Sequence, residues 1–124
     1  MLVYIAVGGT VGTVARYLLQ GLVQDRSGGS VFPSGTLVVN ILGSLLLGFL
    51  IRYATGTTLL SPELRAGVTI GFCCAFTTMS TFSYETYTLL GDGDYWHGGL
   101  YLGGTILGCV AAVIAGTVLA NRLL

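Results

Sequence analysis

Charge is what this chain has least of. Of its 124 residues 8% are charged, lysine is absent so that arginine supplies all the basic charge, and the formal net charge is zero. A chain this poor in charge carries no basic stripe for nucleic acid and does not look like a soluble domain of its length. It also lacks a Ser-His-Asp set, a metal cluster and a phosphate-binding loop, which argues against an enzyme. Cysteine is scarce too: Cys73, Cys74 and Cys109 are odd in number, which excludes a complete disulfide framework. Adjacent cysteines rarely bridge each other, and these three with the single His97 show no recognisable ligand spacing. They read as buried structural thiols, and His97, beside Tyr95 and Trp96, as an interfacial residue of an aromatic belt.

What fills the chain instead is apolar, with 53% hydrophobic residues and a mean hydropathy of +0.85. Four stretches, residues 2–23, 35–54, 64–90 and 96–120, each reach the roughly 20 residues that cross about 30 Å of hydrocarbon. The connections near Asp25 to Ser34, Thr55 to Glu63 and Gly91 to Tyr95 are too short to fold alone. The expected fold is therefore a single all-α membrane domain of four spans over residues 1–124. The first stretch has no basic start and carries Arg16 where a signal peptide keeps an unbroken apolar core, so it reads as a retained helix. With four spans, Arg52, Arg65 and Arg122 share one side with both termini and Arg26 lies on the other. Three against one is a weak bias, as in a protein that inserts both ways round.

Twenty glycines stand mostly inside these spans. Gly8 and Gly12, Gly67 and Gly71, and Gly104, Gly108, Ala112 and Gly116 recur every four residues, forming small-residue stripes that let helix backbones approach closely in lipid. Ordinary packing within one chain accounts for part of them. Four thin helices leave little room to bury a polar path, which favours an oligomer.

The polar residues inside the spans are few and concentrated. Gly71 to Glu85 reads GFCCAFTTMSTFSYE, with Thr77, Thr78, Ser80, Thr81 and Ser83 where hydrocarbon supplies no water. Hydroxyls can bond their own helix carbonyls, and unwound backbone at membrane depth is tolerated only where protein or a cavity covers it. The segment is thus the best candidate for an ion or solute path. Arg16 either snorkels to the surface or draws an anion into a vestibule. Thr36, Asn40 and Ser44 share one helix face. Asn40 is either a packing contact or a neutral donor to a passing anion, and Glu85 can pair with an arginine or bond a hydroxyl.

Three ordered blocks, GGTVGTVARY (Gly8 to Tyr17), PSGTLVVNILGSLLLGF (Pro33 to Phe49) and GFCCAFTTMSTFSYE, resemble the Fluc/CrcB fluoride channel family across nearly the whole chain. The resemblance implies a passive fluoride exporter of the plasma membrane, built as an antiparallel, dual-topology dimer with two pores. The dimer would pair two identical chains or this chain with a paralogous one. It implies a third helix broken near Cys74 to Thr78. A structural sodium ion would be held at the dimer centre by backbone carbonyls at Cys74 and Thr77. Residue by residue, Asn40 matches the asparagine that donates to fluoride, Ser80 and Thr81 the polar pair between two ring positions, and Phe82 the second ring. Met79 stands where the first pore phenylalanine is usual, and Cys74 and Ala75 where two glycines are common. Tyr101, Thr105 and Cys109 occupy the place of a polar track. Fluoride is small and tightly hydrated, so its pore must be narrow and rich in donors, with hydroxyls, amides and ring edges replacing water. The rival readings are a small dual-topology multidrug/cation antiporter and a non-transporting membrane assembly subunit. The antiporter wants an embedded acid in the first helix, where this chain has Arg16. The assembly subunit leaves the hydroxyl cluster without a purpose.

Overall fold

The computed structural model describes all 124 residues, and they form helices and short connections with no strand. Four helical spans are long and apolar enough to cross a membrane. The first is α1 (Leu2–Arg26) and the second is α2 (Ser34–Gly56). The third covers Pro62–Gly91 and is made of α3 (Pro62–Ala66), a π-helical segment (Gly67–Cys73), the single turn α4 (Cys74–Phe76) and α5 (Met79–Gly91). The fourth is α6 (Tyr95–Leu123).

Local chemistry explains where these elements begin. Ser61 caps α3, its hydroxyl accepting the Leu64 N–H at 3.2 Å, and Pro62 follows at a position where a missing N–H costs nothing. Asp94 caps α6 by accepting the His97 N–H at 3.2 Å, and its other oxygen meets His97 Nδ1 at 2.7 Å. These contacts hold the Asp94 carboxyl below the usual aspartate range, the His97 ring hydrogen bond being the larger cause. The turn between α5 and α6 passes through Gly93 at φ +80°, a left-handed conformation that glycine adopts without cost. α1 runs past Val23 to Arg26 because the Gln24 amide ties the following loop to the helix. It donates to the Ser30 and Phe32 carbonyls and accepts from the Gly35 N–H, each at 3.2 Å.

Two helix pairs carry most of the packing, α6 on α2 and α1 on the π segment. In both, backbones touch at glycines. A Cβ on Gly116 would strike the Leu45 carbonyl, and one on Gly48 the Val113 carbonyl. Gly8 lies against the Gly67 carbonyl and Gly12 against that of Phe72. The stripe on α6 is used unevenly: Gly116 is enclosed, Gly108 touches the end of Ile41, and Gly104 meets nothing. Only 23 of the 124 residues are buried, and Gly12 alone in α1. Most of the apolar surface is thus left to lipid or to another chain.

Candidate functional site

The third span comes apart at Thr77 and Thr78, both extended, with φ, ψ of −92°, 157° and −148°, 112°. A helix interrupted there leaves carbonyls on one side and N–H groups on the other without their ladder partners, which in hydrocarbon is costly unless something else supplies them. Side chains do so. Asn40 from α2 reaches across, its Oδ1 accepting the Thr78 N–H at 2.7 Å and its Nδ2 donating to the Thr78 carbonyl at 3.2 Å. Arg16 from α1 donates from Nε to the Ala75 carbonyl at 3.0 Å. Thr78 restarts the helix, its Oγ1 accepting the Thr81 N–H at 3.3 Å and donating to Thr81 Oγ1 at 3.0 Å. The Thr77 hydroxyl folds back onto the Cys73 carbonyl at 3.1 Å.

Counting protons shows what is left for a solute. An amide nitrogen has two hydrogens, and the Thr78 carbonyl takes one from Asn40, so one N–H remains. Thr81 receives the Thr78 hydroxyl proton and keeps its own, and Ser80, 3.4 Å from Thr78 Oγ1, lies exposed. Three neutral donors without an obligatory partner thus gather around the break. Two carbonyls are also released: the N–H that would reach Cys74 goes to Asn40, and the one that would reach Thr77 goes to the Thr78 hydroxyl. They are hard oxygen acceptors on neighbouring turns, and the Cys74 residue is exposed.

Above the break a second set of side chains lines an open groove of about 740 Å³ between α1, the start of α2 and α5. Arg16, Gln20, Thr36 and Glu85 face it. Thr36, 1% exposed, donates to Glu85 Oε1 at 2.5 Å and accepts from Gln20 Nε2 at 3.0 Å. Glu85 therefore bonds a hydroxyl and forms no ion pair, the only such pair in the chain being His97 with Asp94. Arg16 both braces the break and borders the groove.

On the α6 side Phe82, 4% exposed, packs against Tyr101 in an edge-type arrangement, the ring planes 62° apart and the centroids 5.1 Å apart. The Tyr101 hydroxyl and, one turn on, Thr105 Oγ1 are buried with no hydrogen-bond partner, each a cost of about 1–3 kcal/mol if left so. Cys109, the next position of that row, is half-buried. Met79 and Ser80 are exposed, Met79 to 72%, on the face the single chain leaves uncovered. Ser44 makes no hydrogen bond with the Thr36 and Asn40 group.

Reading the residues alone names Thr78 as one of five hydroxyls and as the end of the break without marking it as the pivot, and it misses Gln20. Gln20 lies one turn beyond Arg16 and one turn before Gln24 on the same face of α1, and an amide within an apolar span is the signal that would have found it.

Residues 3–117 match the family described as CrcB-like protein, Camphor Resistance (CrcB). Among similar curated proteins, one from Geobacter sulfurreducens named fluoride-specific ion channel FluC is 49% identical over 96% of this chain and 95% of its own length. Proteins of the same name from Chlorobaculum tepidum and Geobacter metallireducens are 46% and 43% identical over 94% and 98% of this chain, and over 91% and 98% of their own.

Proposed function

The chain belongs to the CrcB family, and from that premise we propose that it is a fluoride-selective channel of the plasma membrane that lets fluoride leave the cell passively. The observation that carries this reading is the set of unspent neutral donors at the helix break, from Asn40, Ser80 and Thr81. Fluoride gives up its water only where several short hydrogen bonds replace it, and an uncharged site binds without trapping. Arg16 beside the groove supplies a positive charge at the approach, and the Phe82 ring edge adds to the donors. The unpartnered Tyr101 and Thr105 hydroxyls extend a polar row along α6 that an anion or its water would satisfy. Met79 offers a polarisable thioether at the neighbouring position and no ring edge.

The same reading pairs two copies head to tail, forming two pores. What supports it is the exposure of Met79 and Ser80 together with the small buried core, since a path through lipid needs a wall on that side. At the centre of such a dimer a sodium ion would be held by the Cys74 and Thr77 carbonyls, which have lost their helical donors. It would bind the two broken helices together and take no part in transport.

Liposomes containing this protein alone test the proposal. They release fluoride down its gradient once charge is compensated and hold chloride, as read with ion-selective electrodes. Chloride efflux as fast as that of fluoride overturns the selectivity, and proton-coupled cation uptake would favour an antiporter.

A further inference from the structure

Gln20, Thr36 and Glu85 form a line of hydrogen bonds whose direction is chemically forced. A carboxylate only accepts, so the single Thr36 proton goes to Glu85 at 2.5 Å, and the Thr36 oxygen is left able only to accept. The Gln20 side chain must then present its nitrogen, as it does at 3.0 Å. The helices hold this register tightly, because a Cβ on Gly35 would strike the Gln20 carbonyl. An apolar residue at position 20 would leave the hydroxyl free to turn its proton elsewhere, and a carboxylate there would compete for it.

We propose that Gln20 is a positioning residue of the channel mouth: by donating to the Thr36 oxygen it keeps the Thr36 proton on Glu85 and so holds the Glu85 carboxylate against α2, at one wall of the groove. The proposal rests on the fluoride reading only for its transport consequence. The charged and titratable groups around the line are Arg16, Tyr17 and Asp25 from α1, Tyr84 on α5, Asp92 after it and Tyr101 from α6. Arg16 is occupied through Nε by the Ala75 carbonyl and forms no ion pair with Glu85. The hydroxyl is therefore the anchor of the carboxylate, and the amide sets the hydroxyl.

The test compares Gln20→Glu, Gln20→Met and wild type in liposomes and by infrared difference spectroscopy. Wild type is expected to conduct fluoride at a rate nearly independent of pH between about 6 and 8. In Gln20→Glu two carboxylates compete for one hydroxyl proton, and the loser stands charged and loose in the groove. Flux is then expected to be roughly tenfold lower at about pH 8 than at about pH 6, recovering as one carboxyl takes a proton. Gln20→Met, which keeps the bulk, lowers flux about two- to threefold with no new pH dependence, the loss of one modest hydrogen bond. Infrared spectra read the line without transport: the protonated-carboxyl band of Gln20→Glu shifts its titration midpoint when Thr36→Val is added, because both carboxyls lean on that hydroxyl. A folded Gln20→Glu protein with wild-type, pH-independent flux, or a midpoint indifferent to Thr36→Val, overturns the proposal. Absence of fluoride flux in wild type, with the midpoint still coupled to Thr36, overturns the channel reading and leaves the positioning role standing.

Discussion

Two helix pairs meet through glycine in this protein, and only one of them stays regular. α2 and α6 cross as unbroken helices with Gly48 and Gly116 against opposing carbonyls. α1 crosses the third span with the same close approach at Gly8, Gly12, Gly67 and Gly71, yet there the partner widens into a π segment and then breaks. The difference lies in what stands beside each crossing. Asn40 and Arg16 deliver an amide and a guanidinium to the broken span, satisfying backbone groups that an open helix would leave bare in lipid. The regular pair receives only the Thr117 hydroxyl, 3.4 Å from the Gly48 carbonyl, and at the end of α2 the Arg65 guanidinium on the Ala54 carbonyl at 2.7 Å, and both helices keep their own ladder. Close packing sets the position of both crossings, and buried polar side chains decide which of them can open.

The largest effect should come from removing that support with little change of shape. Asn40→Asp keeps an acceptor for the Thr78 N–H but loses both amide hydrogens, one bonded to the Thr78 carbonyl and one left for the anion. It also sets a negative charge in the path. Fluoride flux is expected to fall by about a hundredfold or more, while size-exclusion chromatography shows an assembled, folded protein. Normal flux would take Asn40 out of the pore, and lost assembly would make its role packing.

A smaller effect separates the glycines of α6. Gly116→Val places atoms against the Leu45 carbonyl and the Phe49 N–H and should lower stability by about 1–3 kcal/mol. Gly104→Ala meets nothing within 4 Å in one chain and should be silent. Thermal unfolding in detergent checks both. A destabilising Gly104→Ala would show that another chain covers this face, which sharpens the contrast between the two halves of the stripe.

The smallest expected change is at Met79. Met79→Phe adds a positively polarised ring edge beside Ser80 and should raise fluoride flux, or its preference over chloride, by about two- to threefold. A fall in conduction would mean that the neighbouring residues have adapted to methionine. Identical rates and identical chloride leakage would place the side chain outside the ion path.

The four spans were legible because length and hydropathy suffice to mark them, and the break was legible because hydroxyls accumulate where hydrocarbon discourages them. The ends were less so: Gln24, Asp25 and Arg26 are polar, yet they stay helical because Gln24 bonds the loop that follows. The π segment had no signal, since Gly67 to Cys73 reads like any small-residue helix, and nothing in the residues marks it as the part that widens where it packs on α1. Asn40 and Glu85 were visible as polar residues, but their partners were not, because hydrogen bonds to Thr78 and Thr36 join residues 38 and 49 positions apart. Gln20 escaped notice for the same reason: its partner lies on another helix.

The Thr78 amide has a consequence that hydrogen–deuterium exchange can read. In a regular span each slow amide is guarded by a carbonyl of its own helix, so its protection reports how often that helix frays. Thr78 has its guard on α2. Its exchange rate therefore measures how often a single side chain lets go, and a deuterium label at this one position would time the release of the broken span from α2.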